Sequence, residues 1–272
     1  MQLHRMFALA LLLVSISGRG FTQSCSAPSF PSPTPAPIDL TTCGPDGKGG
    51  PETAQNQAKN NFCAPAPAKS ITIPQMVSLQ KQVQNNKGIP FGDTGKHPLT
   101  KKAGPATDRT PLVAMGEGNQ VVLTGFVKVA RPEGAENVNC GTGGDVPDKP
   151  EFHDIHIAIV SKVTDPECSG VVVEMIPHHR PSQWTAELVE EVAQAKLPVR
   201  VTGQLMFDSS HTPCVKGKPV STGGKAHDPA RVSLWEVHPI YQFEVCTNGD
   251  CSSGGWVPLE TWSKPQQHPA AD

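Results

Sequence analysis

Two residues apart in the run RVSLWEVHPIYQFEVC (231–246), Glu236 and His238 set a carboxylate and an imidazole side by side on one face of what reads as a β-strand. A buried strand keeps such a pair only if both groups are partnered or reach solvent. The same spacing recurs as Asp154 and His156 in FHDIHIAIV (152–160). Glu174 stands among the apolar residues of GVVVEMIP (170–177), and Asp208 and His211 close and follow VRVTGQLMFD (199–208). Imidazole and carboxylate are common ligands of zinc and manganese, and a carboxylate behind a metal-bound imidazole fixes its tautomer. These residues could therefore form a ligand-binding face of Asp154, His156, Glu174, Glu236 and His238, or hold a divalent metal through His156, Asp208, His211 and His238. With Glu174 or Glu236 as base, the metal arrangement would suit a hydrolase such as a phosphodiesterase. The plainer alternative is a set of hydrogen-bonded imidazole and carboxylate pairs that pin strand register, with Asp208 capping a turn.

Other motifs carry less. His178-His179-Arg180 follows a strand and precedes a helix, where it could help hold an anion, although a solvated loop explains it as well. The glycines at 141, 143 and 144 lack phosphate-loop spacing and the Gly-Lys-Ser/Thr signature, and no Gly-x-Ser-x-Gly elbow occurs. The net charge of -2 and the single Tyr argue against nucleic acid, which is bound through basic tracks and stacking aromatics.

The elements that must position the acids and imidazoles follow from periodicity. Residues 119–130, 152–160, 170–177, 199–208 and 231–246 read as five strands with apolar residues on one side. Pro239 cannot donate a ladder hydrogen bond, so the fifth strand should bulge, break or sit at an edge there. Between the third and fourth strands, SQWTAELVEEVAQAK (182–196) changes period: Trp184, Leu188, Val192 and Ala195 form one apolar stripe, so an amphipathic helix is expected. Three strands, a helix and two strands is the order of an OB-fold-like, mainly β, five-stranded barrel with its helix between strands 3 and 4. In that topology strands two, three and five are neighbours, and the candidate residues would meet on one outer face.

The chain has 28 Pro and 25 Gly, concentrated outside the strands. Residues 1–24 have the layout of a secretory signal peptide, with His4 and Arg5 before an apolar run too short to span a bilayer. Residues 25–118 read as a Pro/Gly-rich, largely disordered tether with one short helix at 73–83, residues 119–250 as the barrel, and residues 251–272 as a C-terminal tail. Eight cysteines in an exported chain indicate disulfides. Cys43 with Cys63 is the favoured local pair, Cys246 with Cys251 could close a small loop, and Cys25 is a candidate lipid anchor after leader removal.

Asp154-Ile155-His156-Ile157, Glu174-Met175-Ile176-Pro177, residues 199–203, Phe207-Asp208 with His211, and Trp235-Glu236-Val237-His238-Pro239 together resemble a group of exported bacterial proteins. Those proteins pair a Pro-rich leader with a small OB-like domain ending in a Glu-x-His-Pro strand. The resemblance covers residues 121–245 and implies the fold, without naming a substrate. The expectation is an exported module, periplasmic or extracellular, that binds a saccharide, an envelope component or a protein, with a divalent metal as the conceivable cofactor. The metal-dependent hydrolase is the rival.

Overall fold

The computed structural model describes residues 43–86, 108–141, 153–178, 180–220, 228–248 and 250–264. The expected leader, Cys25 and residues 26–42 and 87–107 of the expected tether lie outside the described residues.

Strands β2 (Gln120–Pro132), β3 (Ile155–Val160), β4 (Val171–Met175), β5 (Pro198–Phe207) and β6 (Trp235–Cys246) close into a barrel in the order β2-β3-β4-β6-β5, with β5 pairing back onto β2. The long β2 makes closure possible: its first half pairs with β5, from Gln120 opposite Gln204 to Phe126 opposite Pro198, and its second half pairs with β3. Strand β6 lies parallel to β4, with Val173 opposite Val237, and antiparallel to β5. This is the expected OB-type connectivity, with five consecutive segments wound as a Greek key.

Alternation fills the interior as the sequence requires. Ile155, Ile157 and Ile159 of β3 meet Val171, Val173 and Met175 of β4, Val199, Val201 and Leu205 of β5, and Trp235, Val237 and Phe243 of β6, all buried in one core. The helix between the third and fourth barrel strands is α4 (Ala186–Ala195), capped by the Thr185 hydroxyl accepting from the Leu188 amide. It buries Val189 and Val192 against the barrel; Trp184 precedes its first turn and donates to Glu260 Oε2 at 3.0 Å.

Pro239 acts as expected. The β5–β6 register shifts on both sides of Gly203, which faces Ile240, so Ile240 turns into the core while Tyr241 turns outward. A Cβ on Gly203 would lie 2.5 Å from the Pro239 carbonyl oxygen. Only glycine lets the two strands approach this closely.

The largest departure from the sequence reading is at residues 43–86. Assigned by composition to a tether, they fold onto the barrel as α1 (Thr53–Lys59), β1 (Lys69–Ile71) and α2 (Ile73–Asn85). Strand β1 pairs parallel with Val121–Leu123 of β2. Helix α2, expected over 73–83, begins at a Thr72–Gln75 capping box and buries Ile73, Met76 and Val83. Its Gln80 side chain accepts from the Leu234 amide at 2.8 Å, fixing the entry to β6. Residues 108–118 are also built in, through α3 (Thr110–Ala114): Arg109 pairs with Glu117 and donates to the Phe207 carbonyl, and Glu117 accepts from the Phe207 amide. In the tail, β7 (Trp256–Pro258) pairs with β6, Trp262 is buried, and Trp256 lies under the Arg200 guanidinium at 4.7 Å.

Among the described residues, disulfides join Cys43 to Cys140, Cys168 to Cys214 and Cys246 to Cys251. The last pairing was expected. The local Cys43–Cys63 pairing is overturned: Cys43 ties the N-terminal arm to the loop after β2, and Cys63 is disulfide-bonded elsewhere. Such crosslinks form and persist in an oxidising compartment. No described helix is long and apolar enough to cross a membrane.

Candidate functional site

Residues alternating with the core positions project from β3, β4 and β6 to the outside of the barrel, and there His156, Glu174, Glu236 and His238 come together, with Asp154 just before β3. His156 Nε2 is 3.3 Å from Glu174 Oε1; His238 Nδ1 is 2.7 Å from Glu174 Oε2 and 3.2 Å from Glu236 Oε1. Asp208 and His211, beyond the end of β5, close one side, with His211 Nε2 3.4 Å from Asp208 Oδ2. The sequence-predicted residues thus share one patch. Asp154 stands at its margin, accepting from Asn139 Nδ2 at 2.8 Å.

The expected open face is not open. Asp154, His156, Glu174, Asp208, Glu236 and His238 all have 0 % relative exposure. The cover is the chain itself: α1 lies across the patch, and Asp208, His211, Asp228 and Arg231 line its edge. Helix α1 docks through a polar face, because its buried residues are Gln55 and Asn56 and, one turn on, Lys59. Gln55 Nε2 donates to Asp208 Oδ1 at 3.1 Å, Asn56 Nδ2 donates to the Asp46 carbonyl at 2.8 Å, and Gln204 Nε2 donates to the Ala58 carbonyl at 2.7 Å. Beyond α1, Phe62 and Ala64 pack on Ile176 and Tyr241, whose hydroxyl donates to the Asn61 carbonyl at 2.7 Å.

Lys59, Glu136, Asp228 and Arg231 complete the site, and the sequence reading gave none of them a role. Lys59 Nζ lies 2.9 Å from Asp208 Oδ2, 3.3 Å from Glu136 Oε2 and 4.0 Å from Glu174 Oε2. Asp228 bridges the two imidazoles, its Oδ1 3.0 Å from His156 Nδ1 and its Oδ2 2.7 Å from His211 Nδ1. Arg231 holds Asp228 at 2.7 Å and Glu236 at 3.0 Å. A signal for Arg231 existed, since a cation at the mouth of a strand carrying Glu236 needs a carboxylate if buried. Lys59 gave no signal, because it sits in the polar run TAQNQAK.

Desolvation and pairing compete at every group. Burial alone would push the His156, His211 and His238 imidazoles down, yet neighbouring carboxylates reverse it. Glu174 and Asp228 hold His156 well above its ordinary range, Asp208 and Asp228 lift His211 to about 9 despite Arg231, and Glu174 and Glu236 lift His238 to about 9. Burial opposes ionisation of Glu174 and Asp208, but His156 and His238 beside the first, and Lys59 and His211 beside the second, hold both well below the usual carboxylate range. Asp154 and Glu236 are less well compensated. Burial, followed by repulsion from Glu136 and Glu174 on Asp154 and from Glu174 and Asp208 on Glu236, raises each to about 7.

The expected metal quartet of His156, Asp208, His211 and His238 does not fall in one ligand group. Glu174, Asp208 and His211 present ligand atoms within 4.8 Å of one another, as do His156, His211 and Asp228, whereas His238 groups with Asp154 and Glu174. The other candidate motif, His178 with Arg180, is not a solvated loop: both are buried, with His178 Nε2 3.2 Å from the Cys43 carbonyl oxygen and Arg180 donating to the carbonyls of His153 and Met175. His179 lies outside the described residues.

The fold and site define an OB-type barrel whose outer polar face is closed by its own N-terminal arm. No protein-family model matches the chain, and no curated protein or solved structure matches it.

Proposed function

We propose that this protein is an exported binding or structural module in which the acid and imidazole residues of the barrel face act first as a lock for the N-terminal arm. The observation that carries this reading is Lys59, 3 % exposed and delivered by α1 into contact with Asp208, Glu136 and Glu174. A buried ammonium among carboxylates is kept only where each side compensates the other. A saccharide or nucleotide laid across β3 and β4, as on open OB barrels, would have to displace α1. Export is supported by the leader-like N-terminus and the disulfides. Any envelope component or protein partner would be met on surfaces other than this face.

The lock is tested by hydrogen exchange on the full chain and its Lys59→Met variant. Amides of residues 53–64 should be protected in the first and exchange fast in the second, with β3 to β6 still protected. Fast exchange of residues 53–64 in the unaltered protein would refute the reading. The metal-dependent hydrolase keeps the support of donor chemistry, since imidazoles and carboxylates converge, but its acids are closed from a substrate as large as a phosphodiester. A chromogenic phosphodiester assay with zinc or manganese, lost in Glu174→Gln, would restore it.

A further inference from the structure

The lock leaves polar atoms without hydrogen bonds at its centre. Buried Glu174 Oε1, Asp208 Oδ2 and the Nε2 atoms of His156 and His211 make no hydrogen bond of regular geometry and are held by ion pairs alone, Asp208 Oδ2 by the Lys59 ammonium at 2.9 Å, although most buried polar atoms in proteins are hydrogen-bonded. They face one another in two pairs. His211 Nε2 is 3.4 Å from Asp208 Oδ2, and His156 Nε2 is 3.3 Å from Glu174 Oε1. Ligand atoms about 2.1 Å from a tetrahedral zinc ion lie about 3.4 Å apart, so these two separations match two of the six edges of a zinc site, and Glu174, Asp208 and His211 present ligand atoms within 4.8 Å of one another.

We propose that Glu174, Asp208 and His211, with His156 drawn in as the fourth ligand by a side-chain shift, form a closed site for a divalent transition-metal ion, zinc by its donor set, for which the Lys59 ammonium is the built-in competitor. The outer partners such a site needs are in place. Asp228 occupies Nδ1 of both imidazoles at 3.0 and 2.7 Å, which leaves both Nε2 atoms for the metal. Gln55 and the Ser210 amide donate to Asp208 Oδ1, turning Oδ2 inward. His238, 2.7 Å from Glu174 Oε2, does the same for Oε1. His211, on the loop after β5 and 13 % exposed at its side chain, is the edge by which an ion would enter. Lys59 Nζ, 2.9 Å from Asp208 Oδ2, must move aside as the ion binds, so occupancy by metal and docking of α1 oppose each other.

This inference rests on the lock described above and fails separately from it. Zinc titrated calorimetrically into chelator-treated full-length protein should bind at one equivalent, with nitrogen and oxygen but no sulfur scatterers at the zinc absorption edge. Glu174→Gln and His211→Asn should each weaken binding at least about tenfold, the second without touching the barrel core. Lys59→Met should bind at least about tenfold more tightly, and zinc should restore the melting temperature that this substitution lowers. No stoichiometric zinc in either the unaltered protein or Lys59→Met would overturn the site, as would affinity unchanged by Glu174→Gln and His211→Asn. In both cases protected α1 amides would leave the lock standing.

Discussion

Removing the Lys59 ammonium would leave Asp208, Glu136 and Glu174 facing one another in a site closed to water. Breaking a buried ion pair from one side typically costs ~3–5 kcal/mol, and chemical denaturation of chelator-treated Lys59→Met should show a loss of that size. A loss under ~1 kcal/mol, the scale of a surface pair, would mean that α1 does not close the face. The imidazoles give the cluster a pH dependence of definite sign. His211 and His238, raised to about 9 when folded, contribute stability that is complete below their unfolded pKa of about 6.5 and lost as pH rises toward 9. The groups facing them are Asp208, Asp228 and Arg231 for His211, and Glu174, Glu236 and Lys59 for His238. Asp154 and Glu236, raised to about 7, act in the same direction at lower pH, since the folded state holds their protons more tightly. Glu174 and Asp208 act oppositely, and their contribution disappears only in acid. The melting temperature of metal-free protein should therefore fall between pH 6.5 and 9; a flat or rising profile would contradict the ion pairs described.

At the scale of elements, two junctions govern whether the face is built at all. Gly203→Ala would drive a Cβ into the Pro239 carbonyl oxygen, backbone against backbone, where no side chain can swing away. We expect the substitution to cost ~2 kcal/mol or more, at the upper end for single substitutions, read as a lower denaturation midpoint; a neutral result would place the bulge of β6 elsewhere. The second junction is the Cys43–Cys140 disulfide, which spans 97 residues and tethers the arm to the loop after β2. Replacing both cysteines by serine should cost ~2–5 kcal/mol and speed exchange across residues 53–64 while the barrel amides stay protected. A helix of seven residues has little stability alone, so α1 depends on this anchor and on its polar contacts.

At the scale of the whole molecule, the barrel covers with its own chain the face that open OB barrels use for ligands. Single-stranded oligonucleotides need an exposed track of cations and aromatic rings, and here the corresponding surface is acidic, imidazole-bearing and covered. Fluorescence anisotropy with a labelled oligothymidylate at low salt should show no saturable binding; micromolar affinity would show that α1 leaves the face readily. Much of this architecture was legible in the chain. The period-2 alternation of β2 to β6, the helical period of 182–196 and the bulge at Pro239 are local properties that side-chain size and backbone chemistry dictate. The convergence of His156, Glu174, Glu236 and His238 followed once strands two, three and five were placed together.

What the sequence by itself determined was the barrel and the residues its strands contribute to the polar face, because apolar periodicity is written residue by residue. What only the tertiary structure decided was that this face is closed, and by what. The arm is held by Gln55, Asn56, Lys59 and a disulfide to a residue 97 positions away, none of which produces a hydrophobic period. Burial of a polar helix rests on partners supplied by distant segments, so the run TAQNQAK reads as solvent-facing until Asp208, Glu136 and Glu174 are brought to it.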